Sequence, residues 1–155
     1  MLFDKIAKHF GGADALRGKT LALWGLSFKP NTDDMREAPS LVLIASLIAA
    51  GCKVRAYDPV ATAEARRLLL QENGESACAE YLTLCETAWD AVQGSDALAL
   101  VTEWKEFRSP DFERLAATLA GKAIFDGRNL YDPALVAGAG IAYHGIGRRG
   151  HNDDK

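Results

Sequence analysis

Short runs of continuous apolar character alternate along this chain with longer stretches whose apolar residues recur at helical spacing. Unbroken apolar runs mark strands buried on both faces, and their alternation with helices predicts a parallel sheet covered from both sides. Thr20–Leu26 reads as the first buried strand, and a polar loop follows from Ser27 to Ala38. A helix starts near Pro39, a residue suited to a first helical position, and stops at Gly51. Lys53–Tyr57 is a second strand closed by Asp58-Pro59, and Ala61–Glu72 is helical until Asn73-Gly74 breaks the pattern. Tyr81–Leu84 reads as a short edge strand, Thr87–Gln93 as a short helix and Ala97–Val101 as a buried strand. Pro110–Ala120 is helical, with Ser109 as its cap and Gly121 as its stop. Lys122–Phe125 and Gly140–Tyr143 are the remaining strands, with a turn of helix over Asp132–Val136 between them. The expected fold is α/β: a Rossmann-like, doubly wound, mostly parallel sheet with helices on both faces.

The helix at Pro39–Ala50 is apolar nearly all round. Leu41, Val42, Leu43, Ile44, Leu47 and Ile48 cannot all face one sheet at about 3.6 residues per turn. Another part of the domain, or a partner surface, is expected to cover the remaining face. Met1–Phe10 is amphipathic and runs into Gly11-Gly12, as the tail of a helix whose beginning lies elsewhere would. Arg149–Lys155 is polar and reads as a flexible tail. The expected division is a helical stump over 1–16, a domain over 17–148 and a tail over 149–155. No internal repeat or low-complexity tract interrupts it.

Composition narrows the function. At 155 residues and 16.7 kDa the chain suffices for one domain with a proper core. A net charge of -3 and a pI near 5.6 argue against nucleic acid as a partner, which needs a basic face. No apolar run approaches the roughly 18 residues that span a bilayer, so no membrane partner is expected. The N-terminus has neither the basic start nor the apolar stretch of a secretion signal. Cys52, Cys78 and Cys85 are odd in number and form no CxxC pair, which points to reduced thiols in a cytoplasmic protein. His9, His144 and His151 lie far from those cysteines in sequence, so no metal site is expected. Nor does any cysteine have a histidine nearby in sequence to activate it, and His144 reads as structural.

In doubly wound sheets ligands sit beyond the carboxyl ends of the strands. Three polar clusters fall at such ends: Phe28–Glu37 after the first strand, Thr102-Glu103-Trp104 after Ala97–Val101, and Asp126–Asn129 after Lys122–Phe125. They would bring Lys29, Arg36 and Arg128 near one crevice, in a chain of negative net charge. Cations converging on a concave site suit a phosphate or pyrophosphate. A plainer reading stands beside this one: Asp33, Asp34, Arg36 and Glu37 as a solvated loop with its acids near a helix N-terminus. No GxGxxG is present, so the usual dinucleotide fingerprint is absent. Asp58 ends the second strand, where a ribose-binding acid often sits, yet Asp-Pro is more often a simple turn. Trp104 and Phe107 read as core or interface aromatics.

The segment Gly25-Leu26-Ser27-Phe28-Lys29-Pro30-Asn31-Thr32-Asp33-Asp34-Met35-Arg36-Glu37-Ala38-Pro39-Ser40 resembles the signature of the UDP-glucose/GDP-mannose dehydrogenase family. Tyr57-Asp58-Pro59, Thr102-Glu103-Trp104 with Phe107, Phe125-Asp126-Gly127-Arg128-Asn129 and Tyr143–Arg148 match in the same order. The resemblance runs from Lys19 to Arg148 and covers only the family's C-terminal, UDP-binding part. The family's GxGxxG and its glycine-flanked catalytic cysteine have no counterpart here. The resemblance therefore implies a C-terminal domain separated from its N-terminal and central domains, with Met1–Leu16 the stump of the connecting helix.

That resemblance also implies roles. Phe28, Lys29 and Arg128 contact the nucleotide sugar, and Arg36 reaches across the domain cleft to NAD, which is held mainly by the missing N-terminal domain. Asp33 and Asp34 orient those cations, and no residue here is catalytic. The parent reaction is the NAD-dependent oxidation of the sugar C6 alcohol to a carboxylate, in a cytoplasmic homodimer. The spelling of Thr32 and Met35–Ser40 favours members that convert UDP-glucose to UDP-glucuronate over those acting on UDP-N-acetylmannosamine or GDP-mannose. Alone, the chain is expected to lack dehydrogenase activity. From a different class, a non-catalytic interaction or oligomerisation module would use its all-round apolar helix as the interface.

Overall fold

Successive side chains of a strand point to opposite faces, so a strand buried on both sides feeds two separate cores. The computed structural model, which describes residues 2–146, has this arrangement. Its parallel strands are β1 (Thr20–Trp24), β2 (Lys53–Tyr57), β3 (Leu82–Leu84), β4 (Ala97–Leu100), β5 (Ala123–Asp126) and β6 (Ala142–Gly145). They form one sheet in the order β3-β2-β1-β4-β5-β6. Leu21 and Leu23, with Val54, Ala97, Ala99 and Phe125, face a core covered by α1 (Leu2–Phe10), α2 (Pro39–Ala49), α3 (Thr62–Asn73) and α4 (Glu75–Tyr81). Ala22 and Trp24, with Leu98, Leu100, Ile124 and Tyr143, face the opposite core under α5 (Ala88–Val92), α6 (Phe112–Thr118) and α7 (Pro133–Gly138). The expected Rossmann-like, doubly wound parallel sheet is the fold found.

The all-round apolar α2 turns Leu43, Ile44 and Leu47 to the core, and α1 packs against part of the rest. Val42 stays 63% exposed, so the domain covers only part of that helix. The amphipathic segment at the N-terminus is indeed helical: Ile6 and Ala7 of α1 are buried, and His9 meets Phe125 of β5 edge-on. Among the described residues no helix is long and apolar enough to cross a membrane.

Several boundaries move for physical reasons. β1 ends at Trp24 rather than Leu26, because Gly25 turns the chain at φ +100° and the Leu26 N–H goes to a side chain, Asp58. The cap of α6 is Asp111, not Ser109: its Oδ1 accepts from the Arg114 N–H at 3.0 Å, and the helix begins at Phe112. Asn73-Gly74 does break α3, but α4 restarts at once at Glu75, an element that the sequence pattern did not reveal. Residues 149–155, the expected flexible tail, lie outside the described residues, as do Gly147 and Arg148 of the last motif.

Candidate functional site

The strand order reverses between β1 and β4, and the loops leaving these two strands meet there. Gly25 is required at this point. A Cβ on it would lie 2.5 Å from Thr102 Cβ and 2.6 Å from Thr102 N, and its left-handed φ disfavours any side chain. Thr102 therefore packs directly against the Gly25 backbone.

Beneath these loops lies Asp58, buried at the end of β2. Its Oδ2 accepts from the Leu26 N–H at 2.7 Å, the Ser27 N–H at 3.2 Å and the Trp104 Nε1–H at 3.2 Å. Its Oδ1 accepts from the Val60 and Ala61 N–H groups at 2.8 and 2.7 Å. Five donors consume its acceptor capacity, so Asp58 closes its Asp-Pro turn and has no lone pair directed at a ribose. Asp126, buried at the end of β5, is similar: it accepts from the N–H groups of Arg128 and Tyr131 and from the Tyr143 hydroxyl.

The candidate ligand-binding residues stand on this scaffold. Phe28 is 38% exposed, and its N–H donates to the Asp34 carbonyl at 3.3 Å. The Lys29 ammonium lies 6.0 Å from the Phe28 ring centroid. The Arg36 side chain donates three hydrogen bonds to Asp34, Nε to Oδ1 at 3.0 Å and to Oδ2 at 3.2 Å, and Nη2 to Oδ2 at 2.8 Å. The Arg36 side-chain hydrogen bonds, with its backbone N–H, draw the Asp34 carboxyl down to about 2. Asp34 thus holds the Arg36 guanidinium in an exposed ion pair. Arg128 is gripped by Glu103, Nε to Oε1 at 2.8 Å and Nη2 to Oε2 at 3.1 Å. Burial, the largest single effect, raises the Glu103 carboxyl, but the Arg128 hydrogen bond, a backbone hydrogen bond and the charges of Arg128 and Arg108 together bring about a net fall.

One crevice does not hold all three cations. Arg36 lines a polar hollow with Glu64 and Arg67 of α3, whereas Arg128 lines an apolar groove of about 460 Å³ with Phe3, Val42, Val101 and Gly127. The topology explains the separation. The loop after Lys29 swings outward over α3, which follows β2, while Arg128 follows β5 on the other side of the β1–β4 junction. Lys29, on the β1 loop, stands between these two positions in strand order.

Other groups are structural. Cys52, Cys78 and Cys85 are free and buried, and burial pushes the Cys52 thiol up to about 12, far from a reactive thiolate. His144 stacks on Phe125 at 4.9 Å, with its Nε2 3.2 Å from His9 Nδ1. Trp104 and Phe107 are buried core aromatics.

The sequence profile described as "UDP-glucose/GDP-mannose dehydrogenase family, UDP binding domain" matches residues 22–133, which include Phe28, Lys29, Arg36, Glu103 and Arg128. The chain belongs to this family. A UDP-glucose 6-dehydrogenase of Pseudomonas aeruginosa is 48% identical over 148 residues, spanning 96% of this chain and 31% of its own length. UDP-glucose 6-dehydrogenase YwqF of Bacillus subtilis is 42% identical over 149 residues, again with 31% of its length covered. Among solved structures, a UDP-glucose dehydrogenase from Pyrobaculum islandicum superposes with a TM-score of 0.73 at 25% identity, over 96% of this chain and 29% of that one. This family domain thus spans about a third of the length of the curated relatives it matches.

Proposed function

We propose that this domain binds the UDP moiety of a nucleotide sugar as part of an NAD-dependent UDP-glucose 6-dehydrogenase, which oxidises UDP-glucose to UDP-glucuronate. The reading is carried by Arg128, an arginine held in fixed orientation by Glu103 at the rim of an apolar groove beyond the strand ends. An apolar floor suits a pyrimidine face, and a planar guanidinium suits a diphosphate, to which it donates bidentately. Lys29 adds a compact charge from the β1 loop, and Phe28 adds a half-open aromatic ring. These groups bind and orient the substrate; hydride transfer and thiohemiacetal chemistry lie with other parts of the enzyme.

NAD is assigned mainly to another domain of the enzyme, a reading supported by the absence of a GxGxxG in this sequence and by the close packing of Thr102 on Gly25 where the loops after β1 and β4 meet. Arg36, 88% exposed on its side chain, is the residue we assign to NAD, as a cation reaching a phosphate held by a neighbouring domain. NAD supplies the hydride acceptor. We place the protein in the cytoplasm, where its free thiols stay reduced.

Isothermal titration calorimetry with UDP, UDP-glucose, GDP and NAD tests the proposal. Uridine-selective binding, with no NADH formed from UDP-glucose and NAD by this chain alone, is the expected result. Guanosine selectivity would move the assignment to a GDP-mannose enzyme. No nucleotide binding together with stable self-association would replace it with an interaction module.

A further inference from the structure

Phe28 and Lys29 sit on the loop after β1, and Arg128 is gripped by Glu103 on the loop after β4. A diphosphate can bridge them only if these loops keep a fixed spacing. Two connections link the loops, and both are buried. Thr102 Oγ1 donates to the Ser27 carbonyl, while the Ser27 hydroxyl donates onward to the Lys29 carbonyl at 2.7 Å. Asp58 Oδ2 accepts at once from Leu26 and Ser27 on one loop and from Trp104 on the other. Ser27 and Thr102 are 0% exposed and Asp58 is 4% exposed, so water does not compete for these bonds. Ser40 Oγ, donating to the Leu26 carbonyl at 2.6 Å, anchors the start of α2 to the same point.

We propose that Asp58, Ser27 and Thr102 form a buried polar clamp that sets the spacing between the Phe28–Lys29 loop and the Glu103–Arg128 pair. Thr102 is thereby a positioning residue for the nucleotide. The ligand half of this inference rests on the function proposed above. The clamp itself rests on the hydrogen bonds alone. Its hydroxyl bond is separable from packing, because valine keeps the shape of threonine without the donor, and serine keeps the donor without the methyl.

Thr102→Val and Thr102→Ser test it, read by amide hydrogen exchange in the free protein and by calorimetry with UDP. Thr102→Val is expected to speed exchange at the Ser27 and Phe28 amides about tenfold, with Leu23 and Val54 in the sheet at wild-type rates. UDP affinity should fall by a similar factor. Thr102→Ser should leave both readings within about threefold of wild type. Unchanged loop exchange in Thr102→Val overturns the clamp. So does a serine variant that moves as far as the valine one, since packing rather than the hydroxyl would then be responsible. Wild-type protein that binds no UDP overturns the proposed function and the ligand-positioning role with it, and the exchange rates then decide the clamp alone.

Discussion

Gly25→Ala places a methyl group where the loops leaving β1 and β4 meet. The added Cβ would meet Thr102 Cβ at 2.5 Å and Thr102 N at 2.6 Å, so a change of rotamer cannot relieve the clash. A side chain at φ +100° also pays a conformational cost of about 1–2 kcal/mol. Overpacking a closed contact adds about 1–3 kcal/mol. The sum, about 2–5 kcal/mol, corresponds to a fall in Tm of roughly 4–20 °C for a domain of this size. Gly138→Ala is the matched control, because nothing lies within 4 Å of a Cβ there and φ is not left-handed. At the end of α7 it should raise stability by about 0.5–1 kcal/mol. Thermal unfolding followed by circular dichroism reads both variants. A Gly25→Ala melt within about 2 °C of wild type would refute the close approach of the two loops.

Two titrations follow from the ionisable groups. Asp34, held near 2 by Arg36, should return to the ordinary carboxylate range, about 3.9, in Arg36→Ala; carboxyl chemical shifts report this, and an unmoved midpoint would dissolve the pair. Burial lowers the His9 imidazole, so folding favours its neutral form. The stability that this contributes is complete above the unfolded value of about 6.5 and is lost as pH falls below it through the lower folded value. His9→Asn should therefore flatten the decline in Tm between about pH 7.5 and 5, and identical slopes would contradict the assignment.

The sheet was legible because its strands are continuous apolar runs punctuated by Gly, Pro and Asp, and β2 falls where the pattern put it, at Lys53–Tyr57. Elements governed by local signals were easiest to place. Misreadings arose where two local signals competed, as with Ser109 and Asp111, or where a breaker was followed at once by a new helix, as at Gly74. The site was legible as residue types but not as an arrangement. Three of the donors to Asp58, the N–H groups of Leu26, Ser27 and Trp104, lie 32, 31 and 46 positions away. Glu103 and Arg128 meet across 25 positions, and only because β4 neighbours β5. The parting of Arg36 from Arg128 likewise depends on strand order, which periodicity does not encode.

The most direct test of a nucleotide site at the strand ends is a titration of the isotopically labelled protein with UDP, followed by backbone amide and arginine Nε resonances. The account predicts saturable shifts at Phe28, Lys29, Val101, Gly127 and Arg128, with the Arg128 Nε signal lost to the response in Arg128→Ala. Shifts confined to the separate hollow of Arg66, Cys78 and Leu82 beside β3, with Arg128 silent, would contradict it.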